Sequence, residues 1–131
     1  MSENLPPCPE SPNCVSSQET RPERRVAPIA FACPAGEAAM ALRKAVEATR
    51  GLLVVSNEEE LRAQYRSRLG FVDDVRCIVD ASSGLIHIRS ASRLGWWDLG
   101  VNRRRVERIR REFARIAPSA DQTATGKKDA K

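Results

Sequence analysis

Val72-Asp-Asp-Val-Arg-Cys-Ile-Val-Asp-Ala-Ser-Ser-Gly-Leu-Ile-His-Ile-Arg-Ser-Ala91 is two apolar, β-branched runs separated by Ala81-Ser-Ser-Gly84, a turn composition. If Asp80 pairs with Leu85, then Val79 faces Ile86, Cys77 faces Ile88, Val75 faces Ser90 and Asp73 faces Ser92. Apolar then meets apolar on one face, which selects this register. The other face receives Arg76 opposite Arg89 and Asp74 opposite Ala91.

Upstream, Leu52–Ser56 is a short β-branched run, and after Glu58-Glu-Glu60 the residues Leu61, Ala63, Tyr65 and Ser67 alternate with Arg62, Gln64, Arg66 and Arg68. That alternation predicts a second hairpin with one wet, basic face, and Gly70 permits the next reversal. Before it, Pro34 opens a helix whose apolar stripe is Ala38, Leu42, Ala45 and Val46, with Gly51 as the stop. Residues 25–32 contain Pro28 and read as an edge strand.

Downstream, a final helix begins after Asp98, which can cap it, and buries Val106, Ile109, Phe113 and Ile116. Pro118 ends it. The order is β-α-β-β-β-β-α, and short links favour hairpins over crossovers. The predicted fold is therefore α+β: an antiparallel sheet of about five strands with two helices packed on one face.

The chain's 131 residues fit one domain. Residues 1–7 are expected to be flexible, 8–117 to form the domain, and 118–131 to be a disordered tail. Within the domain, Pro7-Cys-Pro-Glu-Ser-Pro-Asn-Cys-Val-Ser-Ser17 is a string of turn formers expected to follow a fixed path. No apolar run is long enough to span a bilayer and no signal core is visible, so the expected location is cytoplasmic.

Net charge is +5; residues 1–97 balance 12 basic against 12 acidic side chains, and 98–131 carry 10 against 5. The excess therefore sits on the last helix and tail, where a solvated face explains it without nucleic acid. Cys8, Cys14, Cys33 and Cys77 would allow three disulfide connectivities in an oxidising compartment; in the cytoplasm they would be reduced. Their spacing, even with the lone His87, does not suit a structural zinc site, so neither a metal nor a cofactor is expected.

Three blocks carry a resemblance: Cys8-Pro-x-Ser-Pro-Asn-Cys-Val-Ser-Ser17, Phe71-Val-Asp-Asp74, and Arg89-Ser-Ala-Ser-Arg-x-Gly with Asp98-Leu-Gly-Val-Asn-Arg103 and Arg105-Val-Glu107. From about Cys8 to Ile116 the chain resembles the uncharacterised bacterial and plastid family known as domain of unknown function 1499. The resemblance brings no established activity. Many members look exported, membrane-tethered or plastid-targeted, which makes Cys8 and Cys14 a candidate disulfide pair, although this chain starts almost directly at the cysteine motif.

Two readings of the polar residues in these blocks stay open. In one, Ser11, Asn13, Asp73, Asp74 and Asp98 knit a structural network in which Asp73 pairs with Arg93 or Arg105. In the other, Arg89, Ser90, Ser92, Arg93, Asn102 and Arg105 cradle a carboxylate or phosphate. Catalysis has little support: Asp73 and Asp74 point to opposite strand faces, and nothing brings His87 to Cys14. No catalytic residue is assigned. The expected role is a non-catalytic binding or interaction domain for a small anion. The alternative is a protein-partner or anionic-membrane module using Trp96, Trp97 and the basic helix.

Overall fold

The structure, a computed structural model, describes residues 4–118. Six strands and two helices follow in order: β1 (Cys14–Ser16), β2 (Ile29–Ala30), α1 (Ala35–Ala48), β3 (Leu52–Ser56), β4 (Glu60–Arg66), β5 (Val72–Asp80), β6 (Leu85–Ser92) and α2 (Val101–Ile116). The strands form one antiparallel sheet in the order β1-β6-β5-β4-β3, with β2 also paired to β6. The fold is the expected α+β architecture.

The β5–β6 hairpin has the register its apolar pattern dictates, Asp80 opposite Leu85 through to Asp73 opposite Ser92. Val75, Cys77, Val79, Ile86 and Ile88 are buried in the core beneath the helices. Helix α1 contributes Ala38, Leu42, Ala45 and Val46, and α2 contributes Val106, Ile109 and Phe113, whereas Ile116 is partly buried at the margin. Strand β4 buries Leu61, Ala63 and Tyr65 and turns Arg62 and Arg66 outward.

Three details depart from the sequence reading. The cysteine-rich coil supplies a strand of its own, because Cys14–Ser16 pairs with Ala91, Ser90 and Arg89 of β6. Its companion at 25–32 shortens to Ile29–Ala30 on the same edge, since β1 already occupies the far half of β6. Finally, Arg50 rather than Gly51 takes the left-handed conformation after α1, with φ 78°. Gly51 is needed for another reason: a Cβ there would lie 2.6 Å from Val46 Cγ1 and 2.8 Å from Tyr65 Cζ.

Ordered structure reaches further toward the N-terminus than expected. Leu5 is buried and its N–H donates to Gln18 Oε1 at 2.7 Å. Arg24, itself buried, donates to the carbonyls of Pro9 and Glu10, and Arg21 donates to the Cys8 carbonyl. The coil is thus clamped by guanidinium groups instead of apolar packing alone. Of the expected tail, only Pro118 falls within the described residues.

Candidate functional site

Asn102, on the first turn of α2, is fully buried and sits at the centre of the polar residues. Its Nδ2 donates to Asn13 O (3.1 Å), Ser92 Oγ (2.9 Å) and Asp98 Oδ2 (2.7 Å). Its Oδ1 accepts from Ser90 Oγ at 2.6 Å and from an Arg105 NH1 group at 2.8 Å. The second terminal nitrogen of Arg105 lies 2.8 Å from Asp73 Oδ2, and its guanidinium stacks 4.6 Å from the Tyr65 ring centroid. Of the two partners open to Asp73, the structure gives it Arg105.

Asp98 fills the place an anion would take at the start of α2. Its carboxylate accepts the N–H groups of Gly100 (2.8 Å) and Asn102 (3.1 Å). On the coil side, Ser11 Oγ donates to Asn13 Oδ1 at 2.8 Å, and Asn13 Nδ2 donates to the Gly95 carbonyl at 2.6 Å. Tyr65 hydrogen-bonds Thr49 at 2.7 Å, and burial pushes its phenol pKa up. Coil, three strands and both helices meet in this one knot, which buries its members against each other.

The six residues considered as an anion cradle do not share one surface. Ser90, Ser92, Asn102 and Arg105 belong to the buried knot, where their polar atoms, Arg105 Nε apart, already have protein partners. Arg93 is exposed and holds Asp74 through two bonds, 2.7 and 2.9 Å. Arg89 donates to the Pro7 carbonyl at 3.3 Å, on the sheet face away from the helices. Alternation along β6 separates them: 90 and 92 face the helices, 89 and 91 face away.

Cys8 and Cys14 are joined in a disulfide, so the expectation of reduced thiols does not hold for this pair. Cys14 packs there with Ala91 and has no free thiol. His87 Nδ1 lies 3.0 Å from Ser17 Oγ. Cys33 and Cys77 are buried free thiols, and desolvation raises the pKa of both.

At the end of the sheet beside this knot, two loops expose apolar side chains. Leu69 and Phe71 protrude between β4 and β5; Leu94, Trp96, Trp97 and Leu99 protrude between β6 and α2. The exposed fractions run from 53% at Phe71 to 83% at Leu69, too high for core plugs. The loops are neighbours: Arg93 N–H donates to Val72 O at 3.2 Å. They also repeat a tetrapeptide, Arg68-Leu69-Gly70-Phe71 and Arg93-Leu94-Gly95-Trp96, with nearly equal glycine φ of 88° and 87°. Leu99, φ 56°, holds a left-handed conformation that costs a leucine about 1 kcal/mol.

Sequence reasoning singled out the two tryptophans but missed Leu69, Phe71, Leu94 and Leu99. The available signal was the repeated tetrapeptide, in which a large apolar residue flanks each side of a turn glycine. The basic helix contributes less to this end than its composition suggests. Arg103 donates to the carbonyls of Glu23 and Arg25, and Arg110 to those of Ala27 and Pro28.

An α+β fold whose buried polar knot joins a disulfide-tied coil, a hairpin and a helix start defines a class by structure rather than by chemistry. The chain belongs to the family described as Protein of unknown function (DUF1499), which it matches over residues 4–113. No curated protein and no solved structure matches it.

Proposed function

We propose that this domain is a non-catalytic interaction module that docks through its apolar tip onto an anionic membrane surface. The duplicated Arg-Leu-Gly-aromatic loop carries the reading. Each copy offers a leucine and an aromatic ring on either side of a left-handed glycine, with an arginine at the base. Trp rings suit the headgroup level and leucines the acyl boundary, while an arginine near an anionic surface adds about 1 kcal/mol, a contribution reduced at Arg93 by its pairing with Asp74. Asp98, the one acidic residue of these loops, is folded back onto the helix start and does not oppose the approach.

No described helix is long and apolar enough to cross a membrane, and the proposed contact is a peripheral one. A convex pair of loops favours a lipid surface over a protein groove, because insertion needs only shallow penetration by side chains. The Cys8–Cys14 disulfide supports an oxidising compartment over the cytoplasm initially expected.

Co-sedimentation with vesicles is the test. Binding should rise with the fraction of phosphatidylglycerol and fall about tenfold or more when Trp96 and Trp97 are both replaced by Ala, since tenfold is only about 1.4 kcal/mol. Binding that ignores anionic lipid, or survives the double substitution, would overturn the proposal.

A further inference from the structure

Away from both the tip and the knot, three arginines stand abreast on the sheet face opposite the helices. The register places Arg62 of β4 opposite Arg76 of β5, and Arg76 opposite Arg89 of β6. Like charges directly across neighbouring strands destabilise a sheet, so such a row requires countercharge. The fold supplies little. Glu60 Oε2 lies 2.6 Å from Arg62 Nε and 3.4 Å from Arg76 Nε, the longer contact lacking hydrogen-bond geometry.

Asp74, the neighbouring carboxylate on the same face, is committed to Arg93. Among the described residues Arg89 has no ion-pair partner; it donates to the Pro7 carbonyl of the disulfide-tied coil, and its Nε is buried without a bond. Arg76 Nε is likewise buried and unbonded. Among the described residues the one carboxylate in ion-pair contact with these two guanidinium groups is Glu60, which Arg76 shares with Arg62.

We infer that the Arg76–Arg89 pair, with Arg62 at its flank, binds an oxyanion of the phosphate or carboxylate class that supplies the missing countercharge. Adjacent strands lie about 4.8 Å apart, so two guanidinium forks can grip one oxyanion from both sides. The whole row spans about 10 Å, which suits a ligand with two linked anionic groups better than a monoanion. Glu60 at one end, and Asp74 and Glu19 near Arg89, repel an anion and confine it to the middle of the row. The site is independent of the tip: it lies on a sheet face, and its ligand is a soluble oxyanion.

The test uses the full chain, ¹⁵N-labelled, with arginine Nε–H signals followed by NMR while sodium pyrophosphate, phosphate or citrate is added at constant ionic strength. The Arg76 and Arg89 signals should move saturably, with pyrophosphate or citrate binding more tightly than phosphate. Arg89→Lys, which keeps the charge but loses the fork, and Arg76→Gln should each weaken binding about tenfold or more. Arg111→Gln, an equal charge loss on α2, should change it less than about twofold.

The Trp96→Ala/Trp97→Ala variant should retain pyrophosphate binding, which separates failure of this site from failure of the membrane reading. Movements reproduced by sodium chloride, equal weakening by Arg111→Gln, or loss of binding in the tip variant would each overturn the inference. Thermal melting of every variant confirms that it is folded.

Discussion

An amide at position 102 has two hydrogens to donate and an oxygen with two lone pairs, and the knot uses all of them. Replacing Asn102 by Leu takes the acceptor from the Ser90 hydroxyl and leaves Arg105 NH1 with only its longer bond to Ser90 Oγ, 3.3 Å, in a buried place. Each orphaned group costs about 1–3 kcal/mol, so a loss of about 2–5 kcal/mol is expected in urea unfolding. Ser92→Ala, which removes one acceptor from an amide with two others, should cost about 1 kcal/mol. Equal effects of the two substitutions would contradict the central position of Asn102.

Another residue sets a pH dependence. Glu19 accepts from Arg21 Nε at 3.1 Å and from the Cys8 N–H at 2.9 Å, and these two bonds hold its carboxyl below the usual carboxylate range. A depressed folded-state pKa means the stabilisation is complete above the unfolded value and vanishes as pH falls through the folded one. Amide protection of Cys8 should therefore drop in acid, and Glu19→Gln should flatten that dependence. A Cys8 amide equally protected from neutral pH down to the onset of acid unfolding would refute the role of Glu19.

At the scale of elements, the β5–β6 register was legible because a period of two admits only one alignment that keeps the apolar residues together. That alone told which polar residues share a face: Ser90 with Ser92 and Asp73 toward the helices, Arg89 away. What could not be read was β1. Three residues of a proline-rich coil carry no periodicity, and their pairing to β6 depends on long-range contacts, including the Asn13 carbonyl that accepts the Ser92 N–H. Likewise, nothing local says that Asn102, instead of an arginine, would sit at the centre of the knot.

The coil is also the element whose anchorage can be measured. Its disulfide closes a short loop, and removing such a constraint costs about 2–3 kcal/mol in the chain-entropy description. Reduction should raise hydrogen exchange at Ser17, Ile88 and Ser92, whose amides bond across the edge between the coil and β6, while the Val79 amide, bonded to the Glu59 carbonyl, remains protected. Uniform loss of protection would mean that the coil and the core open as one unit. A different element explains Gly51: a methyl added there collides with Val46 and Tyr65. Gly51→Ala should destabilise by about 1–3 kcal/mol, the range for overpacking a filled core.

On the scale of the whole molecule, the sheet divides the work. One face carries the helices and the core, the other carries the arginine row and the clamped coil, and one end presents the apolar loops. The knot beneath those loops explains how a tip with so little packing of its own is held in shape. Asn13 grips the Gly95 carbonyl, and Asp98 fixes the start of α2. The exposed leucines and tryptophans thus stand on a hydrogen-bonded base, which would lower the ordering cost of the proposed docking.

Both tryptophans of the chain, Trp96 and Trp97, lie in the tip, so tryptophan fluorescence, excited selectively over Tyr65, reports on that surface alone. Titrating the protein with phosphatidylglycerol-containing vesicles at moderate salt is the most direct measurement of the membrane claim. The emission maximum should shift to the blue as the rings leave water, and the shift should weaken when the vesicles contain only phosphatidylcholine or when salt screens the arginines. Unchanged emission at saturating anionic lipid would contradict the account.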